Sequence, residues 1–466
     1  IGAHFVTLAW KNSQEDFFQR LLEKSFTVDS NGMISFAAHH NLPMGDLKRY
    51  LLHDAILKTF LQHGQTREME KSTRSISFQF DDRTVNIAKF KSVRTYNSQN
   101  AAPLFSKGNL SDNVEVKGWL YPGAVERHVA LKPSLLTTSG KSFLLLLFAP
   151  AGCLYFHLRC KSADGTYDKR KGAAVVVPHY TELTGLGERF DRYLEAPIER
   201  LYAASLADAA LSALYQMRLQ HAGGMLESIG VNSCSVFTMG TIPWAKQQKT
   251  RTGAVRLDNV PVSWLDQFGL CLQSLGNTLH FKDDSSFWGS ACQARGLFAG
   301  NIAADRDWFV GFADLMKTQK MAKNISWERK GLNDMVEQAA WNQESDRLFV
   351  EAVHAALRSM YGQLAQRARD HGEEPRFDRE FERLRSALMR AKNRQTVRAE
   401  LADLFARGKL NKSLQKHWTK LLPLFTGPDW QRAKDLTLLG MASYQGSGAA
   451  EIIDSQGEEE LEEETE

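Results

Sequence analysis

The stretch CLYFHLRCKSADGTYDKRKGAAVVVP, residues 153–178, decides the fold class of this chain. Its two ends, residues 153–160 and 173–178, are short apolar runs rich in aromatic or β-branched residues, as is typical of strands. The polar segment between them contains an Asp-Gly pair followed by a Lys-Arg-Lys run, which predicts a turn. The sequence therefore predicts two consecutive strands here.

Strand signals extend to both sides of this stretch. SISFQF and RTVNIAKF, residues 75–80 and 83–90, flank Asp81-Asp82 and predict a hairpin. The apolar run at residues 143–148, FLLLLF, is interpreted as a buried strand, and it is far shorter than the ~20 residues of a membrane-spanning helix. CSVFTM, residues 234–239, predicts a further strand.

Helical signals dominate both ends of the 466-residue chain. Ser13 and Asp16 form a capping-box pattern before an apolar periodic segment, and a second amphipathic helix is predicted over residues 45–62. Within the middle region, Ser205 and Asp208 predict the start of a helix that runs to about Gln220. From residue 331 to 441 periodic Leu, Ala, Phe and Arg predict three or four helices, with breaks near residues 371–375 and 423–428.

These patterns predict an α+β fold, with a mixed N-terminal region that contains antiparallel strands and a helical bundle after it. We expect an N-terminal domain at residues 1–330 and a C-terminal bundle at 331–445. Residues 446–466 are predicted to be an acidic, disordered tail.

Charge is distributed unevenly along the chain. Residues 451–466 contain nine acids and no Lys or Arg, so the overall net charge of +4 leaves +13 on the other 450 residues. The tail is interpreted as a solubilising end, and the alternative is a mimic of nucleic acid that competes for the basic face. Five cysteines without a CxxC pair favour a reducing compartment, and we expect the cytoplasm.

The stretch PWAKQQKTRTGAVR, residues 243–256, contains four Lys or Arg and no acid. Cations, amide donors and one aromatic residue are the groups that contact phosphates, sugars and stacked bases. The candidate nucleic-acid-binding residues here are Trp244, Lys246, Gln247, Gln248, Lys249, Arg251 and Arg256.

A second basic region lies in the predicted bundle. Residues 383–420 contain eleven Lys or Arg, and Glu400 and Asp403 are their only acids. The i, i+4 spacing of Arg390, Arg394 and Arg398 predicts that they share one helix face that contacts a nucleic-acid strand.

Catalytic patterns are sparse. No GxSxG, HExxH or GxGxxG pattern occurs, and no cofactor is expected. His53-Asp54 leaves open an HD-type metal phosphohydrolase, with His39 or His40 and Asp81 or Asp82 as further ligands. A solvated helix face is the preferred interpretation of this pair, so we expect no metal site.

Several segments resemble one family. GTIPWAKQQKTRT, YAASLADAALSALYQMRLQ, VKGWLYPGAVERHVA and the segment from Asn31 to His63 are similar to the large subunit of a type I CRISPR Cascade complex. The similarity covers most of residues 30–260, and its nearest branch is type I-B, including a lineage carried by CRISPR-associated transposons.

This resemblance implies a non-catalytic subunit that reads a protospacer-adjacent motif (PAM) in double-stranded DNA and helps open the duplex. It implies that the C-terminal bundle guides the displaced strand of the R-loop. The implied partners are crRNA, target DNA, the Cascade backbone and small subunits, and a downstream nuclease-helicase or transposition adaptor. A standalone RNA-binding scaffold remains an alternative.

The residues that would read the motif are not fixed by the resemblance. The polar segment KFKSVRTYNSQNAAP, residues 89–103, is one candidate, because its side-chain types can contact base edges. The candidates are Arg94, Asn97, Gln99 and Asn100.

Overall fold

The structure is a computed structural model, and it describes most of the chain. The described residues are 7–11, 13–39, 44–62, 64–80, 83–116, 136–159, 172–181, 183, 186–218, 231–238, 240–244, 247–251, 253–282, 286–408 and 412–446. The chain divides into two compact units: residues 1–159, 168–265 and 277–291 form the first, and residues 160–167, 266–276 and 292–466 form the second. The predicted boundary of the functional domains at residue 330 stays a prediction.

The described helices confirm the predicted order of a mixed region followed by a helical region. They are α1 (Gln14–Ser25), α2 (Asp46–Lys58), α3 (Gly140–Gly152), α4 (Leu186–Glu195), α5 (Leu206–Gln216), α6 (Val262–Ser274), α7 (Gln293–Ile302), α8 (Gln319–Ser326), α9 (Arg329–Gln338), α10 (Glu344–His371), α11 (Phe377–Arg390), α12 (Arg394–Arg407), α13 (Lys412–Thr426) and α14 (Trp430–Ser443).

The described strands all lie in the first unit. They are β1 (Phe26–Val28), β2 (Ile34–Phe36), β3 (Arg67–Met69), β4 (Arg74–Phe80), β5 (Arg83–Phe90), β6 (Val93–Tyr96), β7 (Phe105–Ser106), β8 (Asn109–Leu110), β9 (Val114–Glu115), β10 (Thr137–Thr138), β11 (Leu154–Leu158), β12 (Gly172–Pro178), β13 (Tyr202–Ala203), β14 (Cys234–Thr238), β15 (Gly240–Trp244), β16 (Gln247–Arg251), β17 (Ala254–Leu257), β18 (Thr278–Lys282) and β19 (Ser286–Ser290).

The first unit is organised around a five-stranded sheet with the order β13-β11-β12-β14-β17. Its neighbours are antiparallel except for the parallel pair of β11 and β13. Strands β11 and β12, predicted from residues 153–178, are buried almost throughout. Strands buried on both faces have continuous apolar sequences rather than alternating ones, and this is the pattern of AAVVVP.

Local sequence signals place several elements as predicted. The Ser13 side chain accepts a hydrogen bond from the Asp16 backbone N–H at 3.1 Å and begins α1. Ser205 does the same for Asp208 at 3.1 Å and begins α5. β4 and β5 form the predicted antiparallel hairpin, while Asp81-Asp82 between them lies outside the described residues.

The apolar run at residues 143–148 is a helix, so the strand prediction is wrong. It lies inside α3, which begins where the Ser139 side chain accepts a hydrogen bond from the Ser142 N–H at 3.2 Å. Leu and Phe lose little by adopting a helix, and the run contains no β-branched residue to favour a strand. A short apolar run cannot separate the two structures by periodicity alone.

In the second unit, α10 and α14 pack closely. Gly440 of α14 faces α10, where an added Cβ would lie 2.8 Å from the Val353 Cγ1. In the span from residue 329 to 443 the described residues form six helices, more than the three or four predicted. The predicted break after His371 is present, whereas the break predicted at residues 423–428 begins only after Thr426, because Pro423 lies inside α13.

The charged residues of α14 are paired inside the second unit. Arg432 donates to the fully buried Asp346 at 2.9 Å and to Asp307 at 2.6 Å. Asp435 accepts from the backbone N–H groups of Gly311 and Ala313 at 2.8 and 2.9 Å, at the start of the 3₁₀ helix Phe312–Met316. These contacts satisfy ionised groups that would otherwise be costly to bury.

Asp435 should make the stability of the protein depend on pH in the acidic range. Burial raises the pKa of the Asp435 carboxyl from 3.8 to about 6, although its backbone donors act in the opposite direction. Between about pH 4 and pH 6 the folded state therefore holds the proton more tightly than the unfolded state, so this residue's contribution to stability falls as the pH rises.

We expect Asp435→Asn to remove this contribution. The unfolding free energy of the wild type should fall relative to that of the variant by about 2 kcal/mol from pH 4 to pH 6. Urea unfolding of both proteins at several pH values measures it. A difference that stays constant over this range would contradict the prediction.

Candidate nucleic-acid interface

The basic stretch at residues 243–256 forms a hairpin on the edge of the central sheet. β14 and β17 are paired up to Phe237 and Ala254, and the same two segments continue as β15 and β16, which pair from Gly240 and Arg251 to Trp244 and Gln247. β17 is the outermost strand of the sheet. The basic hairpin, residues 240–251, is therefore an extension of a paired sheet edge.

Thr238 and Gly253 join the sheet to the basic hairpin. The Thr238 N–H donates to the Gly253 carbonyl at 2.9 Å, and the Gly253 N–H donates to the Thr238 hydroxyl at 2.6 Å. An added Cβ at Gly253 would lie 3.2 Å from Leu206 and 3.3 Å from the Thr238 hydroxyl. This close crossing aligns the two strands where the ladder is interrupted.

Most candidate residues of the stretch occupy register positions in this hairpin. Trp244 pairs with Gln247, Pro243 with Gln248, Ile242 with Lys249, and Gly240 with Arg251. Since alternate residues of a strand share a face, positions 247, 249 and 251 lie on one face of the hairpin. Lys246 lies outside the described residues, as do the side chains of Trp244, Gln247, Gln248, Lys249 and Arg251.

Arg256 lies in β17, where the hairpin has rejoined the sheet, opposite Ser235. Its Nε donates to both carboxylate oxygens of Asp258 at 2.9 Å. Both side chains are more than half exposed, at 67% and 52%. An exposed ion pair of this kind contributes at most about 1 kcal/mol, so a phosphate can displace the carboxylate at little cost.

The three arginines of the bundle do not lie on one continuous helix. Arg390 ends α11 and Arg394 begins α12, because Asn393 accepts a hydrogen bond from the Thr396 N–H at 3.0 Å and starts a new helix. The prediction of a shared helix face is therefore wrong. Arg390 and Arg394 are exposed, whereas Arg398 donates to the carbonyls of Phe425 and Thr426 at the end of α13.

The candidate motif readers belong to β6 and the 3₁₀ helix Asn97–Gln99. The Gln99 side chain accepts from the Tyr96 N–H and donates to the Phe26 carbonyl, at 3.0 and 3.1 Å. Asn100 accepts from the Ala102 N–H at 2.9 Å. The Gln99 side chain thus fixes the Tyr96 backbone and joins the segment to β1, and the Asn100 side chain fixes the backbone that follows it.

Arg94 and Asn97 differ from these two residues because, among the described residues, neither side chain bonds to the backbone of the segment. Arg94 donates to Glu68 at 2.9 Å, and both side chains are more than half exposed. Asn97 is half-buried. A ligand can therefore engage Arg94 and Asn97 without releasing a backbone contact, whereas the exposed Asn100 would have to release the Ala102 N–H.

His53, the centre of the alternative metal site, is buried, so the interpretation of His53-Asp54 as a solvated helix face is wrong for His53. Both of its ring nitrogens are hydrogen-bonded. Nδ1 accepts from the Ile34 N–H at 3.0 Å, and Nε2 lies 2.7 Å from the Lys91 carbonyl, which fixes the proton on Nε2. Burial lowers the pKa of His53. Neither nitrogen is available to a metal ion in this arrangement, and Asp54 pairs with Lys58.

Of the other proposed ligands of that site, His39 is the one that the structure describes. His39 packs against Phe36 and Phe190, and His40, Asp81 and Asp82 lie outside the described residues. Among the residues that the structure describes, no three His, Cys, Asp or Glu side chains are grouped so that they could hold a metal ion.

Comparison with known proteins places both ends of the chain in one family. Residues 1–147 match the DevT N-terminal domain and residues 337–466 match the DevT C-terminal domain. A curated relative, the CRISPR-associated protein Cas8a1/Csx13 of Myxococcus xanthus (strain DK1622), is 29% identical over 427 residues, which cover 87% of this chain and 72% of the relative.

The chain belongs to the CRISPR-associated large subunits. The resemblance seen in the sequence is thereby confirmed at the level of the family, and the type I-B branch and the transposon lineage stay predictions. None of the large subunit's described helices combines the length and the apolar character needed to cross a bilayer.

The large subunit also presents an exposed aromatic residue that the sequence reasoning missed. Trp418 of α13 is 45% exposed and lies on the same helix as the exposed Lys412 and Lys416. The sequence signal was an absence: no Asp or Glu occurs from Leu404 to Pro428. A criterion based on basic residues alone selects the arginines of the bundle and overlooks Trp418.

Arg398 of the large subunit should contribute to stability, in contrast to Arg394. Arg398→Ala removes the donors to two carbonyls at the end of α13, where no further helical N–H can replace them. We expect a loss of about 1–3 kcal/mol in unfolding free energy, as for other hydrogen bonds made by charged groups.

The exposed Arg394, one turn away at the start of α12, is the matched control. Arg394→Ala should change the unfolding free energy by less than about 0.5 kcal/mol. Urea unfolding of the full chain, followed by circular dichroism, compares the two variants. Equal midpoints for both variants would show that the Arg398 contacts do not stabilise the bundle.

Proposed function

We propose that this large subunit binds duplex DNA at the protospacer-adjacent motif and helps open it, without catalytic chemistry of its own. The observation that carries the proposal is the basic hairpin of residues 240–251 at the edge of the central sheet. A two-stranded ribbon is one of the elements that can enter or follow a DNA groove.

The composition of the basic hairpin fits backbone contact rather than base reading. Lysine and arginine supply charge for phosphates, and Gln and Thr side chains add neutral donors for phosphate and sugar oxygens. Contacts of this kind position a protein on DNA and carry no sequence information. In RNA-guided recognition, pairing with the guide supplies most of the specificity, which leaves this positioning task to the protein.

We assign motif reading to the segment of Arg94 and Asn97. Among the described residues Arg94 forms an exposed ion pair with Glu68, and such pairs are weak enough to exchange for a base edge. Arginine and asparagine make the bidentate contacts that distinguish bases in the major groove. Gln99 and Asn100 fix the conformation of this segment by accepting hydrogen bonds from its backbone.

The proposed partners follow from membership in the family. We infer that the subunit assembles with crRNA and the Cascade backbone and small subunits, and that it stabilises the R-loop and its displaced strand. A downstream nuclease-helicase or transposition adaptor would be recruited to the opened DNA. The alternative of a standalone RNA-binding scaffold predicts purification without stoichiometric guide RNA and backbone subunits, so a pull-down separates the two.

The subunit should not cleave DNA. Incubation of the purified chain with labelled single- and double-stranded DNA and divalent metals should leave the substrates intact, because the ring nitrogens of His53 are occupied by backbone groups. His53→Ala should lower stability and leave the DNA unchanged. Cleavage by the wild type that is abolished in His53→Ala would support the metal phosphohydrolase instead.

Loss of charge from the basic hairpin should weaken DNA binding in a salt-dependent manner. In the assembled complex, the triple variant with Lys246, Lys249 and Arg251 replaced by Ala should bind more weakly at low salt. The slope of log affinity against log salt should become shallower by about two to three units, at about 0.9 per lost phosphate contact. Binding to duplexes with and without the motif measures both affinity and preference.

The ratio between these two duplexes should barely change, because phosphates carry no base identity. A matched control replaces Lys71 and Lys141, two exposed lysines of the same unit, and should leave the slope unchanged. An unchanged slope in the folded triple variant would reject the hairpin as a DNA-binding element.

If Trp244 stacks on a base, Trp244→Ala should lose ~1–3 kcal/mol of binding free energy. A loss of fold stability instead would reject a stacking role for Trp244.

A further inference from the structure

The side chain of Gln19 on helix α1 is bonded to the segment that carries the candidate motif readers. Its Nε2 donates to the Gln99 carbonyl at 3.1 Å, and its Oε1 accepts from the Ala101 N–H at 2.8 Å. The second hydrogen of the Nε2 group is donated to the Glu23 carboxylate at 2.7 Å. Because an amide carries donors and an acceptor side by side, one side chain holds two backbone groups that are 80 and 82 residues away in sequence.

The partners of this amide determine its orientation. If its nitrogen and oxygen exchanged places, the nitrogen would face the Ala101 N–H, and the oxygen would face the Gln99 carbonyl and the Glu23 carboxylate. Two donors or two acceptors that face each other form no hydrogen bond. A carboxylate at position 19 would therefore keep only the contact with Ala101, and an apolar side chain would keep neither contact.

A second set of hydrogen bonds joins the same segment to strand β1. The Gln99 side chain accepts from the Tyr96 N–H at 3.0 Å and donates to the Phe26 carbonyl at 3.1 Å. The Tyr96 hydroxyl donates to the Thr27 carbonyl at 3.2 Å. Tyr96 and Gln99 lie on either side of Asn97 in the chain, so the backbone around Asn97 is fixed to α1 and to β1.

The two candidate readers lie between anchored positions of this segment. The almost fully buried residues of the segment are Val93, Tyr96, Ser98, Ala101 and Leu104. Arg94 lies between the first two of them and is 62% exposed, and Asn97 lies between the second and the third. The positions of both side chains therefore depend on the contacts that hold the backbone on either side of them.

Helix α1 has contacts of its own that do not involve Gln19. Phe18 and Leu22 are buried, at 4% and 0% exposure, and the Phe18 ring lies 6.1 Å from that of Phe105. The Ser13 side chain caps the first turn of the helix. Loss of the Gln19 amide should therefore release the segment that it holds and leave the helix in place.

We propose that Gln19 is a positioning residue for motif recognition, which acts through Arg94 and Asn97 and does not itself contact DNA. A bidentate contact with a base edge requires two hydrogen bonds of correct length and angle at the same time. The bonds from Gln19 fix the backbone from which the two reading side chains extend. This role rests on the proposed function, in which Arg94 and Asn97 read the motif.

The experiment uses the assembled complex and a pool of target duplexes with randomised flanking bases. Sequencing of the bound fraction identifies the preferred flank, and titration with the preferred and a scrambled flank gives a ratio of affinities. Gln19→Met keeps the length of the side chain and loses both contacts, so it should lower this ratio by about 5- to 140-fold, the range for one base contact. Affinity for the scrambled flank and its salt dependence should stay unchanged, because the phosphate contacts remain.

Two further variants separate positioning from folding. Gln19→Glu retains the acceptor for the Ala101 N–H, so its ratio should lie between those of the wild type and Gln19→Met. Its added negative charge acts on both duplexes alike and cancels in the ratio. The matched control is Gln14→Met, the same substitution at the start of α1, which should bind as the wild type does. Circular dichroism melting shows whether each variant is folded, and if Gln19→Met is not, the ratio of Gln19→Glu decides.

A double-mutant cycle tests whether Gln19 acts through the readers. In a background of Arg94→Ala with Asn97→Ala the ratio should already be low, and Gln19→Met should lower it no further. Full flank preference in folded Gln19→Met, or an equal loss with and without the two readers, would overturn the positioning role alone. A wild type without any flank preference would reject the proposed function, and the role of Gln19 with it.

Discussion

The C-terminal bundle depends on the burial of helix α14 together with its charged residues. Most of this helix is enclosed, and Lys434 and Asp435 are almost as buried as its apolar residues. Each charge is directed to one structural partner: Arg432 to Asp346 and Asp307, Asp435 to two backbone N–H groups, and Lys434 to the Ala391 carbonyl. These directional contacts specify where α14 lies, which apolar packing alone would leave less defined. The neighbouring helices are arranged around a segment whose position is fixed by polar contacts.

Elements with a local signal could be predicted from the sequence. The caps at Ser13 and Ser205 act within three residues, and the two strands at residues 153–178 have composition and turn signals that agree. The run at residues 143–148 failed because its apolar residues fit a helix or a strand equally well, and Ser139 decides between them. The break between Arg390 and Arg394 had a local signal in Asn393 and Thr396, but the regular spacing of the arginines outweighed it.

The sequence predicted the positive charge of the candidate site, but it did not predict the hydrogen bonds that several of its side chains make. Composition located the basic hairpin and indicated the bundle as a second basic region. It could not show that Arg398 bonds to carbonyls 27 and 28 residues away, or that Gln99 bonds to Phe26, because these partners are distant in sequence. The same limit applies to His53, whose ring nitrogens meet backbone atoms of β2 and Lys91. Polar residues that resemble ligands in a sequence are often satisfied within the fold.

Strands β15 and β16 continue β14 and β17, so the length of the basic hairpin can change without a change in the central sheet. Each residue added to both strands would lengthen the ribbon by about 3.3 Å, while the crossing at Thr238 and Gly253 keeps the central sheet in register. Related chains can therefore adjust how far their positive charge extends by adding residue pairs to β15 and β16. The core would be spared, because no buried strand has to shift.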